Sequence, residues 1–343
     1  QITFFKVVYR RHTNFAMEAS QQTWNGSELS NGSRITATIS RNGDLVSRMY
    51  VEASAKTVVD GDNPGALLIK EVEVEIGGQK IDKHTGNWLE LYAELTEPNC
   101  GGVCGDSSAT ANSMTTGTRF QNMACLGGVS VDGTATVFRA NIPLQFWFNR
   151  NPGLALPLIA LQYHEVKVIL TTGSVGQITD ITKNVLWCDY IYLDTDERRR
   201  FAQVSHEYLI EQLQSSSITG KTLDLNFNHP VKELVWTQDN GGGPLECIPK
   251  SIGTIGSDTW QLKLNGQDRF AARDVDYFTK VQVYQHHTGT PVKSGIKSSG
   301  VPLCSDNLIG VYSFALKPEE HQPSGTCNFS RIDNAQLITT PQA

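Results

Sequence analysis

The chain has 343 residues and a formal net charge of −6, and only 19% of its residues are charged. This length suits two domains of ordinary size, and the negative balance argues against a basic shell that wraps nucleic acid. No apolar run approaches the ~20 residues that span a bilayer. The seven cysteines are an odd number spread along the chain, which indicates reduced thiols rather than a disulfide framework or a zinc set.

The first part of the chain predicts short strands joined by turns. Apolar or alternating strand patterns recur at residues 2–9, 35–39, 69–76, 137–142 and 165–170. Asn25-Gly26 and Asn31-Gly32 are strong turn dipeptides. Residues 98–135 are rich in Gly, Ser and Thr without periodicity, which predicts a long surface loop.

One helix interrupts this pattern. Residues 87–97 place Trp88, Leu91, Tyr92 and Leu95 at helical spacing. We expect this apolar stripe to lie against the first domain.

The segment from Asp189 to Gln214 predicts a connection between two β domains. Tyr190 to Leu193 form a strand, and the Asp194 and Glu197 pair has capping-box spacing for a short helix. Arg198, Arg199 and Arg200 follow in that helix and form the only basic run, which is explained better as a solvated or interface turn than as a phosphate site. From His206 the alternation predicts a new strand. A strand–helix–strand crossover inside one sheet is the alternative, disfavoured because no second long amphipathic helix exists to cover a parallel sheet.

After this junction the sequence again shows short strand patterns separated by turns. Strand patterns recur around residues 223–227, 234–236, 260–264, 281–284 and 309–316, with a loop over 286–302. Many short strands without a periodic repeat predict sandwiches rather than a propeller.

Motifs that suggest chemistry are incomplete. His164-Glu165 and His206-Glu207 lack the second His of a zincin. Gly220-Lys221-Thr222 resembles the end of a phosphate-binding loop, but Ser215 stands where the first glycine belongs and a strand pattern follows. His286-His287 has no acidic residue close in sequence, and Glu319-Glu320-His321 lies in a proline-bounded turn. The sequence therefore predicts neither an enzyme nor a cofactor.

Three glycosylation sequons begin at Asn25, Asn31 and Asn328. Asn25 and Asn31 lie in turn-rich sequence and are candidate sites, whereas we expect Asn328 to be buried.

Four stretches resemble the major capsid proteins of nucleocytoplasmic large DNA viruses, of the phycodnavirus and iridovirus kind. They are QITFFKVVYRRHTNF at 1–15, NIPLQFWFNRNPGLALPL at 141–158, DERRRFAQ with HEYLIEQ at 196–212, and YSFALKPEEHQPSGTCNFSR at 312–331. The matches are long, lie in order and run from the first residue to the last dozen.

The resemblance implies an all-β double jelly roll: two tandem sandwiches with short helices in the connections. Residues 1–203 would form the first and 204–343 the second, with Asp194, Glu197, Arg198, Arg199, Arg200 and Phe201 as connector. Phe201 is expected to pack between the domains. The family also implies a homotrimeric, pseudo-hexagonal capsomer that forms an icosahedral shell with neighbouring capsomers and minor capsid proteins. Assembly would occur in the host cytoplasm, without direct nucleic-acid contact and close to an inner viral membrane.

Two further expectations complete the interpretation. From the resemblance we expect the family's N-terminal arm to be absent, and the second domain, at 140 residues, to lack strands and leave an unpaired edge. The alternative function is a carbohydrate-binding or glycan-cleaving β-sandwich, suggested by six tryptophans and several long loops.

Overall fold

The structure is a computed structural model. It describes residues 13–26, 32–57, 68–98, 118–124, 136–173, 178–217, 219–238, 252–254, 256–289, 293–296, 302–305 and 308–340. The predicted opening strand at 2–9, Asn31 and most of the predicted loop at 98–135 lie outside these residues.

Two five-stranded antiparallel sheets form the first half. One has the order β1-β10-β4-β7, with β8 also paired to β4, and the other has the order β2-β3-β9-β5-β6. The strands of the first sheet are β1 (Phe15–Gln22), β4 (Leu45–Thr57), β7 (Thr136–Pro143), β8 (Leu156–Pro157) and β10 (Ile178–Leu193). Those of the second are β2 (Trp24–Asn25), β3 (Arg34–Thr38), β5 (Ile69–Ile76), β6 (Gln79–Thr85) and β9 (Val166–Thr172).

The core of this half lies between the two sheets and follows from the alternation in the sequence. In β5, Val72 and Val74 are fully buried while Glu71 and Glu73 face outward, where Glu73 pairs with Arg34 at 2.9 Å. Side chains alternate across a strand, so one face of each sheet is apolar and the other polar. Burying the two apolar faces against each other makes the sandwich, and the predicted alternation is confirmed.

The predicted helix is confirmed as α1 (Gly86–Thr96), which begins after Thr85, whose hydroxyl accepts a hydrogen bond from the Trp88 amide. The other helices are short: α2 (Arg119–Met123), α3 (Trp147–Arg150), α4 (Thr195–Gln203) and α5 (Gln282–His286). The described residues also form two 3₁₀ turns, Pro152–Leu154 and Phe329–Arg331, and a π-helical turn at Tyr277–Val281. The π-helical turn and α5 together cover residues 281–284, for which the sequence predicted a strand.

Short antiparallel strands make up the second half. β11 (Thr222–Asp224), β21 (Ala335–Thr339), β14 (Thr259–Leu264) and β15 (Gln267–Asp268) form one sheet, with β16 (Arg273–Asp274) also on β14. The remaining strands pair two by two: β12 (Pro230–Val231) with β20 (Cys327–Asn328), β13 (Glu233–Trp236) with β19 (Gly310–Ser313), and β17 (Lys293–Ile296) with β18 (Pro302–Ser305).

The described part of the second half holds eleven strands, and the expectation that further strands are missing from it stays a prediction. Every one of the strands from β11 to β21 is paired. They pack around two aromatic-rich clusters, one on Trp260 and Phe278 and one on Leu262 and Phe329. The strands are two to six residues long, so many of them fit into a short stretch of sequence.

The strand predicted from His206 is wrong. Residues 205–217 belong to no strand, and Leu209 and Ile210 are exposed. The alternation is real, but no neighbouring strand is placed to form a ladder with it. This segment crosses from one half to the other as an extended linker.

Candidate functional site: the junction between the two halves

Asp44 ties the start of α4 to the first sandwich. The Asp194 carboxylate caps the helix by accepting from the Thr195 amide at 2.7 Å. Buried Asp44 accepts from the Leu193 amide through one oxygen at 2.8 Å and pairs with Arg198 through the other at 3.0 Å. The chain direction at the end of β10 is therefore held from both sides of residue 194.

The other residues of the predicted connector are less engaged. Glu197 is half-buried, and Arg199 and Arg200 are exposed to solvent. Phe201 packs with Leu193 against a small cluster of the first half formed by Leu45, Ala155 and Ile191. The expectation that Phe201 packs between the domains is wrong, because this cluster lies wholly on the first sandwich.

A buried polar pair anchors the linker. His84 Nε2 lies 2.9 Å from Asp82 Oδ2, and both side chains are only 1% exposed. The other Asp82 oxygen accepts from the Leu213 amide at 3.0 Å, and the His84 ring stacks on Phe146 with centroids 4.6 Å apart. A carboxylate buried in a sandwich is costly unless its oxygens are paired, and here the linker backbone supplies one partner. The linker therefore supplies a hydrogen-bond donor to a carboxylate that is buried in the first half.

Glu211 connects both halves through its charge. It pairs with Arg150 of the first half at 2.7 Å and with Lys232 of the second half. Lys232 also donates to the Glu320 carbonyl at 2.8 Å, and Arg150 lies over the Tyr92 ring of α1. These side chains are about one-fifth exposed, so their pairing is less screened than on an open surface.

The helix α1 is an apolar bridge. Leu89 and Ala93 belong to the first core, but Leu91 and Leu95 pack with Val283, Leu308, Ile309 and Val311 of the second half. The prediction that the Leu91 and Leu95 stripe lies against the first domain is therefore wrong. The Gly289 amide also donates to the Leu95 carbonyl at 2.7 Å.

Beside this bridge, His287 lies between two carboxylates. Its Nδ1 is 3.1 Å from Glu319, and its Nε2 is 3.0 Å from Glu233, a contact close enough for an ion pair but not aligned as a hydrogen bond. Burial lowers the pKa of His287, but the two carboxylates outweigh it and raise that pKa to about 9. Burial alone would raise the pKa of Glu319, yet bonds from His287 and Thr288 hold it below its usual range. The imidazolium is thus held between β13 and the turn that carries Glu319.

Sequence analysis missed Asp44, Asp82, Glu211 and His287 as junction residues. The partner of His287 in the Glu319 turn is 32 residues away, and that of Glu211 in Arg150 is 61 residues away. Local spacing carries no signal for such pairs. The available hint was that Glu211, Arg150 and the Glu319 turn all lie within stretches that resemble the capsid family.

The motifs that the sequence analysis rejected as catalytic contribute to the structure of loops and turns. Gly220 and Lys221 form a turn into β11, and His286 Nδ1 bonds the Leu316 carbonyl at 3.1 Å. Within the described part of the chain, no group of three or more His, Cys, Asp or Glu side chains could hold a metal ion. No helix in the described ranges is long and apolar enough to cross a membrane.

None of the six tryptophans is exposed, which removes the sequence feature that suggested a sugar-binding sandwich. Trp24 and Trp147 pack with the first core, and Trp236 and Trp260 with the second. Of the candidate glycosylation sites, Asn25 is exposed at the end of β2 and Asn31 lies outside the described residues. Asn328 is half-buried, and its side chain accepts from the Ser330 amide.

Comparison with known proteins assigns both halves to one family. A family model described as the N-terminus of major capsid proteins matches residues 3–194, and one for the major capsid protein of large eukaryotic DNA viruses matches 197–343. The major capsid protein of Pyramimonas orientalis virus is 49% identical, over 98% of this chain and 86% of that protein. That of Paramecium bursaria Chlorella virus 1 is 40% identical, over 99% of this chain and 82% of that protein.

Solved structures agree. The PBCV-1 VP54 crystal structure matches with a TM-score of 0.74 and 38% identity, covering 98% of this chain and 87% of that one. The Faustovirus major capsid protein matches in fold at 13% identity, with a TM-score of 0.60, over 100% of this chain and 89% of that one. These are double jelly-roll proteins, and the predicted fold class is confirmed. The chain belongs to the major capsid protein family of large eukaryotic DNA viruses and is a component of the virion capsid.

Proposed function

We propose that this capsid protein assembles as a homotrimer, whose six sandwiches form a pseudo-hexagonal capsomer of an icosahedral shell. The observation that carries the proposal is the junction, in which α1 and Glu211 fasten one sandwich-forming half to the other. A tile built from three two-part chains needs the two parts of each chain held at one angle. An apolar bridge flanked by ion pairs supplies that rigidity.

We assign residues 1–203 to the first jelly roll and 204–343 to the second, with Asp194 to Phe201 as connector. Support comes from the ladders, because those of the described residues each join strands of the same half. The partners proposed are neighbouring capsomers and minor capsid proteins, with assembly in the host cytoplasm. The proposed role is structural rather than catalytic, because both halves match family models of major capsid proteins.

Light scattering on the purified chain tests the trimer. We expect a mass three times the chain's 37.7 kDa and an interface burying well over ~2,000 Å² in total, the range of obligate contacts. A folded monomer at micromolar concentration would contradict the proposal. A smaller species retained on glycan columns would instead favour the carbohydrate-binding alternative.

A further inference from the structure

A small cavity of about 390 Å³ lies at one end of the first half. It opens between the loop that joins β3 to β4, whose Asp44 holds the start of α4, and the loop that joins β8 to β9. The buried members of its lining, Ile39, Leu158 and Val166, are apolar and at most 4% exposed. Polar side chains surround them, and the Tyr163 ring is 93% exposed. The cavity therefore combines an apolar floor with a polar rim that faces solvent.

Hydrogen bonds fix the loop that forms most of this rim. The His164 amide donates to the Leu161 carbonyl at 3.1 Å, and the Gly77 amide donates to the Glu165 carbonyl at 2.9 Å. The Arg41 guanidinium also donates to the Leu161 carbonyl, at 2.9 Å. A binding site whose geometry is set in advance loses less conformational entropy when a ligand binds.

Arg41 carries the unbalanced charge of the rim. It is exposed, and among the described residues its guanidinium bonds only the carbonyls of Leu161 and His164. The acidic side chain of the lining belongs to Glu165, whose charge is offset by Lys167 at 3.2 Å. The guanidinium therefore keeps donors for an anionic ligand, and its planar fork matches a carboxylate.

We propose that this cavity binds a segment of a partner protein in which an acidic residue stands beside an aliphatic one. The inference deepens the proposed partnership with minor capsid proteins and rests on it. The aliphatic side chain enters between Leu158 and Val166. The carboxylate meets Arg41, and the Tyr163 ring covers the peptide. Tyrosine and arginine around a desolvated centre are the residue types that dominate protein interfaces.

Two other classes of partner fit this cavity less well. Lipid recognition uses clusters of several lysines or arginines, and of the described residues that line the cavity only Arg41 is one of these. Nucleic acid requires many phosphate contacts, and the chain has a formal net charge of −6. A single arginine fork beside an apolar floor suits one carboxylate next to one aliphatic side chain.

Calorimetric titration with matched peptides tests the proposal. The probe is the acetylated and amidated peptide Gly-Ser-Leu-Asp-Ser-Gly, and a second peptide carries Asn in place of Asp. The wild-type chain should bind the Asp peptide at least ~10-fold more tightly than the Asn peptide. In Arg41→Gln the two peptides should bind alike, because the partner of the carboxylate is gone. Equal binding of both peptides to the wild type, or an undiminished preference in Arg41→Gln, would contradict the proposal.

Two further variants separate the site from the fold. Tyr163→Ala removes an exposed ring and leaves the loop hydrogen bonds in place, so this variant should fold and bind the Asp peptide ~10-fold more weakly. Arg48→Gln removes an exposed arginine of β4 that lies outside the cavity, and it should bind like the wild type. Circular dichroism checks the fold of each variant. Unchanged binding in Tyr163→Ala, or an equal loss in Arg48→Gln, would show that the peptide binds elsewhere.

The remaining outcomes distinguish this inference from the proposed trimer. Vesicles that contain phosphatidylserine should sediment no more wild-type chain than Arg41→Gln chain, and sedimentation that depends on Arg41 would overturn the peptide assignment. A trimer that binds neither peptide at millimolar concentration would overturn this inference and leave the trimer standing. A monomer that binds the Asp peptide through Arg41 would overturn the trimer alone.

Discussion

At the scale of single residues, the second half holds a buried charged group close to the junction. His287, Glu233 and Glu319 form a compact group whose members come from three separate segments. Removing one partner of such a group leaves an uncompensated charge inside the protein, which costs more than an exposed ion pair contributes. Substitution at this group should therefore affect stability more than substitution of the surface ion pairs.

The first prediction concerns pH. Because the folded pKa of His287 is raised from 6.5 to about 9, its contribution is present in full below pH 6.5 and is lost as pH rises through 9. We expect the free energy of unfolding to fall by on the order of 2–3 kcal/mol between pH 6 and pH 9.5. Denaturant titrations at several pH values measure this. In His287→Gln the free energy of unfolding should depend less steeply on pH. An equal pH dependence in that variant would contradict the role given to His287.

A second prediction concerns Phe201. Its ring is half-buried against Leu193 and stacks on His206 at 5.0 Å. Truncating a half-buried ring removes less buried apolar area than truncating a ring in the core. Phe201→Ala should therefore lower the free energy of unfolding by about 1–2 kcal/mol, rather than the ~3–5 kcal/mol of a fully buried phenylalanine. Arg199→Ala, exposed on the same helix, is the control and should be neutral. Chemical denaturation of both variants decides, and no difference between them would make the helix a passive linker.

At the scale of elements, α1 shows how far the sequence could go. Its existence and its apolar spacing were predictable, because helical periodicity is a local property. The sequence could not predict which half of the protein each side of α1 contacts. Leu91 and Leu95 contact residues that lie about two hundred positions further along the chain. The same holds for residues 204–217, where a correct alternation gave a wrong strand because no partner strand is placed beside it.

The third prediction separates the two faces of α1. Leu95→Ala removes a contact to the second half and Leu89→Ala one to the first core, and each should cost about 2–4 kcal/mol. Hydrogen exchange should show lost protection in β13 and β19 for Leu95→Ala, and in β5 and β6 for Leu89→Ala. Identical exchange patterns in the two variants would show that α1 belongs to a single core.

At the scale of the whole molecule, the resemblance of four sequence stretches gave the family and fold, and comparison confirms both. The candidate site was only partly predictable: Asp194 and the helix after it lie as expected. The paired charges around Glu211 and His287 depend on tertiary placement that local patterns do not encode.

The fourth prediction tests how firmly the halves are held. Ser215, Ser216 and Ser217 are exposed, so a specific protease site inserted after Ser216 should be cut in the folded protein. The two fragments should remain together on a sizing column, held by α1 and by the ion pairs. Combined Leu91→Ala and Leu95→Ala substitution should let them separate. Fragments that part without those substitutions would show that the junction depends on chain continuity.

The position of β1 has a consequence for how the protein is made. β1 pairs with β10, and Phe15 lies opposite Leu193, so β1 cannot form its ladder until residue 193 has been synthesised. During synthesis the ribosome releases the first residues long before the last strand of that sandwich. Contacts between residues so far apart in sequence form slowly, and the uncovered apolar edge can meet other nascent chains meanwhile. A cell filling with copies of this chain therefore faces its greatest risk of aggregation before Leu193 emerges, and chaperone demand should be highest in that interval.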